Sequence, residues 1–355
     1  MSRPGIHDPV PDEAAGPLVG ELTAQHAALA VHHLQVAAYR FVVQADTEIH
    51  LPGYIGSTLR GGLGHALRFK VCLTGLPDCA LCPLRVQCLY PYVFETDLAL
   101  QSTAPPGRGD VPRPYILEPP DPTRTALEPG EQLSFGLTLV GSVVREMPYF
   151  VHAFRGFGER GVGRRGSRFR VIRVERLHPR REPAVIWDGV HLTTSPEGDR
   201  ATTGEEIIRT WMLPGVRRVG IRFLTPARFK SSGRFVSSGP TFSVLIGRLL
   251  DRLEGISLYH HGAPLAIDFR AWRKRAEEIQ LAQSDVRWHD WTRYSSRQLT
   301  EMQLGGLVGT VTYAGDLEPF LPFLGIGEWL HVGKGATFGL GHYRVELPNK
   351  IVGGA

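Results

Sequence analysis

Lysine is scarce. Only five of the forty basic residues (Lys70, Lys230, Lys274, Lys334 and Lys350) carry an ammonium, so arginine, whose planar guanidinium suits bidentate phosphate contacts and stacking on bases, supplies most of the positive charge. Cysteine is scarcer still, with four residues in 355, all between positions 72 and 88. That excludes a disulfide-dense secreted scaffold. No apolar run approaches the ~18 residues needed to span a bilayer. The opening MSRPGIHDPVPDEAAG lacks the basic-then-apolar pattern of a signal peptide. A cytoplasmic protein with no membrane partner is expected. No dense Asp/Glu cluster has ligand spacing, which argues against a two-metal nuclease.

The composition that remains is that of a globular chain, 42% hydrophobic and 21% charged, long enough for two domains. The formal net charge is +5, but it is unevenly placed. From Arg209 to Arg248 there are eight basic residues and no acidic one; from Arg155 to Arg181 there are ten arginines against Glu159 and Glu175. Each stretch carries a local +8, and such segregation suggests polyanion binding.

Cys72, Cys79, Cys82 and Cys88 form C-x6-C-x2-C-x5-C. In a reducing compartment this spacing predicts a metal knuckle over 72–88. Structural Zn2+ in a closed four-thiolate site is favoured, and an iron–sulfur cluster is the alternative.

Along the chain, 1–30 reads as a mobile arm and 34–43 as a strand, followed by a helix over 54–70. Eight prolines in 101–130 mark an extended insertion rather than core. LTLVG (137–141), an apolar helix, Gly156-Phe-Gly-Glu159 and a basic strand recur as VTYAG (311–315), an apolar helix and Gly325-Ile-Gly-Glu328. Internal duplication predicts an α+β architecture of two tandem ferredoxin-like (RRM-like) domains, with the knuckle inserted in the first. The domains are expected at 31–182 and 211–355, joined by 183–210. In the second, the loop 333–341 sets Gly333, Lys334 and Gly335 beside His331, where backbone N–H groups, an ammonium and an imidazole could meet a phosphate.

LPGYIGSTLRGGLGHAL, CALCPLRVQC, RYSSRQ (293–298) and GEWLHVGKGATFGLGHYRVE together resemble the CRISPR precursor-RNA processing endoribonucleases of the RAMP superfamily. The resemblance runs from about 34 to 347. It implies cleavage of CRISPR repeat RNA, with no catalytic metal, by attack of a 2′-hydroxyl to leave a 2′,3′-cyclic phosphate and a 5′-hydroxyl. It also implies retention of the mature crRNA and hand-over to other effector-complex subunits. A RAMP subunit that binds crRNA without cutting is the alternative.

The family places a histidine on or just after the first helix. On a helical wheel Ile55, Leu59, Leu63, Ala66 and Leu67 share one face, which turns His65 outward with Arg68 nearby as a phosphate partner. His65 and Arg68 are therefore the candidate catalytic pair, with His50 next in line. Arg164, Arg165, Arg168, Arg228, Lys230, Arg234, Arg293, Arg297, His331, Gly333, Lys334 and Gly335 are the candidate RNA contacts.

Overall fold

In a computed structural model, residues 22–348 are described apart from 53, 101–110, 121–123, 163–165, 194–199, 232, 291, 296–299 and 304; side chains in 291–304 are also outside the description. The chain builds helix α1 (Ala24–Val31), then strand β1 (Gln35–Ala45), helix α2 (Gly56–Val71), β2 (Tyr115–Glu118), β3 (Gln132–Val140), helix α3 (Met147–Arg160), β4 (Phe169–His178) and β5 (Arg181–Trp187). Its second half adds β6 (Arg218–Ala227), helix α4 (Phe242–His261), β7 (Gln280–His289), β8 (Gly306–Ala314), helix α5 (Leu321–Leu330) and β9 (Tyr343–Glu346).

The sheets are antiparallel, in the orders β2-β3-β1-β4-β5 and β7-β8-β6-β9. Counted within each half, the first four strands lie second, third, first, fourth. A strand, helix, strand, strand, helix, strand chain with that order is the β-α-β-β-α-β connection expected from the repeat. The recurring Gly-x-Gly-Glu sits at the same place in both halves, but inside helices α3 and α5 rather than in a turn after them. Its glycines permit close packing: a Cβ on Gly158 would collide with Phe169 O, and one on Gly325 with the Trp211 ring.

Each half has its own core. Phe41, Phe135 and Phe154 stack beneath the first sheet at 4.8–5.2 Å between ring centres. Phe242, Tyr313 and Phe320 meet beneath the second at 5.0–5.1 Å. Burying each such ring is worth roughly 1.5–3 kcal/mol.

Two expectations are corrected here. The described part of the supposed arm is helical: Thr23 caps α1, and Ala27 and Val31 are wholly buried in the second half's core, against α5. Residues 24–34 thus cross over to serve the distant half. Within the proline-rich stretch, Tyr115, Ile116 and Leu117 are also buried, as strand β2. Proline there leads into an edge strand, which needs no donor on its outer side. The segment 101–110 lies outside the described residues. Among the described residues, no helix is long and apolar enough to cross a membrane.

Candidate nucleic-acid interface

A groove of about 790 Å³ opens between the halves. Pro112 and Arg113 form its first-half wall; Arg228, Lys230, Arg248, Arg252, Arg273 and the loop Gly333–Phe338 form the other. Seven cationic side chains line it, against Asp251 and Glu254. Asp251 holds two of the seven, Arg248 at 3.1 Å and Arg273.

Two of the remaining arginines carry the strongest signal. Arg228 is 9% exposed and its Nη1 has no hydrogen-bond partner; Arg252, partly buried, donates Nε–H to Leu330 O at 2.5 Å, and its buried Nη2 has no partner. Burial lowers both guanidinium pKa values, that of Arg252 to about 10, and both stay charged at neutral pH. A buried donor without an acceptor costs ~1–3 kcal/mol. An anion in the groove would remove that cost.

The glycine-rich loop is built by close approach. At Gly333, φ is +80° and a Cβ would stand 2.5 Å from Arg228 O. The Lys334 amide donates to that same oxygen at 3.2 Å, so this N–H is not available to a phosphate. From the other half, Tyr54 Oη donates to Phe338 O at 2.7 Å, and the Arg60 guanidinium stacks on the Phe338 ring at 4.7 Å. Gly333, Lys334 and Gly335 therefore line the groove, held in place from both sides.

His331 does not reach it. The side chain is wholly buried, stacked 4.6 Å from His342, with Nδ1 3.2 Å from Leu340 O. Burial, and then the neighbouring His342, push its pKa well below the ordinary value, so it is no titrating donor for RNA. The glycines around it suggested a loop, but the Val332–Gly341 backbone pairing closes over the imidazole.

Arg228 and Lys230 meet over the exposed Phe235 ring, at 4.5 and 5.1 Å. Arg234, on the facing strand of the hairpin Lys230–Ser231 and Arg234–Phe235, is exposed beside them. Arg168 is exposed at the start of β4, where its amide donates to Thr47 Oγ1, and it does not line the groove. Arg164, Arg165 and Arg297 lie outside the described residues; Arg293 is on the strand Thr292–Ser295 with its side chain outside the description.

Several of the cations in the two basic stretches are already paired with carboxylates at the surface. Arg170 pairs with Asp46, Arg173 with Glu175, Arg217 with Asp316 and Arg222 with Glu346, while Arg176 is buried over the Tyr39 ring.

On α2, His65 is exposed, as its place on the wheel predicts. Three of the helix's four glycines are explained by protein atoms: a Cβ would collide with Phe338 O at Gly56 and with the Phe157 ring at Gly62, and would stand 3.0 Å from the Phe94 ring at Gly64. Gly61 has nothing within 4 Å and lies one turn before His65. At 1.5 Å per residue, His65 is ~14 Å along the helix from the point where Gly56 meets the glycine-rich loop. Arg68 is turned elsewhere. Its Nη2 donates to Leu76 O at 2.6 Å and Pro77 O at 2.7 Å, which ties down the cysteine segment instead of a phosphate. His50 Nε2 lies 3.4 Å from Glu48 Oε1 at the surface.

All four cysteines line a second cavity of about 640 Å³ and none is in a disulfide. Burial pushes the Cys79 and Cys88 thiols up from their ordinary values. Among the described residues, no three ligand side chains are drawn together tightly enough to hold an ion as they stand.

Sequence reasoning missed Arg113 and Arg252 as parts of the groove, and Tyr54 as a tie to the loop that lines it. Arg113 had one signal, its place between two prolines in VPRPY; the others depend on how the halves meet.

Residues 34–198 match a family model for an N-terminal domain, AF_1859_N, and residues 221–343 match the model for the CRISPR-associated endoribonuclease Cas6. An uncharacterized protein of Archaeoglobus fulgidus is 23% identical over 305 residues, 84% of this chain and 94% of that protein. Among solved structures, a partial Cas6-RT-Cas1–Cas2 complex aligns with a TM-score of 0.57 at 13% identity, over 90% of this chain; the chain spans about half, 48%, of that one's length. A Cas6 product complex aligns at 0.50 and 20% identity, over 88% of this chain and 99% of the other. At these identities the likeness is one of fold. The sequence match to the CRISPR-associated endoribonuclease Cas6 is confined to residues 221–343, in the second half of the chain.

Proposed function

We propose that the chain cleaves CRISPR repeat RNA lying in the groove between two tandem ferredoxin-like domains, and that it then keeps the mature crRNA for other effector subunits. Two buried guanidinium nitrogens without partners, Arg228 Nη1 and Arg252 Nη2, in the wall of a cationic groove carry this reading, because a phosphodiester supplies the acceptors they lack. The reaction needs no metal: the 2′-hydroxyl attacks the adjacent phosphate, the P–O5′ bond breaks, and a 2′,3′-cyclic phosphate and a 5′-hydroxyl remain. His65 is the candidate base for the 2′-hydroxyl proton. A strand passing from the glycine-rich loop along α2 would cross Gly61, where nothing stands in its way, before reaching His65. Arg68 has no place in the reaction.

A second reading is a crRNA-holding subunit that does not cut. Its support is that, among the described residues, no histidine lines the groove.

One experiment separates them. End-labelled cognate repeat is incubated with the protein in EDTA, beside the same RNA carrying a 2′-deoxy at the cut site. Cleavage of the first and not the second is expected. Tight binding with neither cut selects the second reading, and equal cutting of both removes the 2′-hydroxyl mechanism.

A further inference from the structure

The segment from Cys72 to Cys88 is an excursion without a core. Leu73, Leu81 and Val86 are exposed by 87, 77 and 62%, so its apolar side chains face solvent rather than one another. Its internal order comes from short turns: Asp78 accepts from Ala80 N at 2.8 Å, Cys82 N donates to Cys79 O at 3.2 Å, and Cys88 N donates to Leu84 O at 3.0 Å. These turns nonetheless keep Cys79 and Cys82 buried, the reverse of what happens to the leucines. Cys72 ends α2, and Cys88 precedes the helix Leu89–Phe94, so the remaining two thiols stand at fixed helix ends. All four open on one cavity. The Arg68 guanidinium lines that cavity too and already holds the segment through Leu76 O and Pro77 O. Four thiolates around a divalent ion leave a net charge of −2, which a fixed guanidinium alongside partly offsets.

We propose that Cys72, Cys79, Cys82 and Cys88 bind a single structural zinc ion, which takes the place of a hydrophobic core in this segment. Binding draws the four sulfurs in from the walls of the cavity and releases their protons. A closed set of four thiolates leaves no open position, so the ion has no part in RNA cleavage. The proposal does not depend on the nuclease reading.

The test uses the full chain, purified anaerobically without added metal or chelator. Elemental analysis should give a single zinc per chain, and all four thiols should resist alkylation until a strong chelator is added. Replacing zinc by cobalt(II) should produce the thiolate charge-transfer and visible bands of a tetrahedral site. The double variant Cys79→Ser with Cys82→Ser should lose the metal, and protease should then cut within 72–88 at least tenfold faster, with circular dichroism reporting whether the rest of the fold persists. Iron with sulfide, disulfides, or metal-free protein with four reactive thiols would each overturn the proposal. So would full zinc retention in the double variant.

Discussion

Tyr54 and Phe338, 284 positions apart, are joined by a hydrogen bond of 2.7 Å from the phenol to the main-chain carbonyl. It fastens the start of α2 to the glycine-rich loop that lines the groove. Tyr54→Phe removes the donor and keeps the ring. The loss should be about 0.5–1.5 kcal/mol in urea unfolding. RNA affinity should fall as well, because the loop that lines the groove loses one of its ties to the first half, where the Arg60 stacking on Phe338 remains. Lower stability with unchanged affinity would show that this tie does not serve the groove.

Neighbouring glycines of α2 give opposite expectations. Gly62→Ala drives a methyl into the Phe157 ring and should destabilise the fold by about 1–3 kcal/mol. Gly61→Ala meets nothing, and should stabilise the helix by up to about 1 kcal/mol. If RNA backbone crosses this face on its way to His65, Gly61→Ala should cut repeat RNA at least tenfold more slowly despite its higher melting temperature. Wild-type cleavage in that variant would move the RNA path off α2.

The architecture was legible because hydrophobic periodicity and the Gly-x-Gly-Glu repeat are local, and both reappear at equivalent places in the two halves. Charge was less legible. A count along the chain sees no acid between Arg209 and Arg248, yet Arg217 is paired with Asp316 and Arg222 with Glu346, because strand pairing brings together residues about a hundred positions apart. His331 misled for a related reason. Its neighbours are loop-forming glycines, and only the closure of Val332 on Gly341 buries it. The groove itself needs both halves in place, so Tyr54 and Arg252 gave no sign of it in the sequence.

That distinction between paired and unpaired cations can be measured. Arg228→Gln and Lys230→Ala should each weaken repeat binding and make the slope of log K against log salt shallower by about 0.7, the value for neutralising one phosphate fewer on a single strand. Arg173→Gln and Arg222→Gln remove equal charge from residues held by Glu175 and Glu346, and should leave the slope unchanged. Filter binding from low to moderate salt would check this. Equal effects from all four would mean that total charge, not the groove, drives association.

Stability should fall on acidification through buried histidines that remain neutral. His260 has Nε2 2.6 Å from Pro112 O and Nδ1 3.0 Å from Tyr92 Oη, which suits an imidazole donating at Nε2 and accepting at Nδ1. Burial lowers its pKa to about 4, and burial lowers that of His342 to about 3. Between those values and 6.5 the unfolded chain binds protons that the native chain does not, so stability declines as pH falls through this window. Glu328 works in the other direction: burial raises its pKa to about 7, the native state holds the extra proton, and stability declines as pH rises from about 4.5 to 7. Two histidines outweigh one carboxyl, so the net slope from pH 4 to 6.5 should be positive. His260→Asn should flatten it. Glu328→Gln, which keeps an acceptor for the Val345 amide at that site, should steepen it. Urea midpoints at half-unit pH steps would decide, and a slope of the same size in all three proteins would assign the acid sensitivity to other groups.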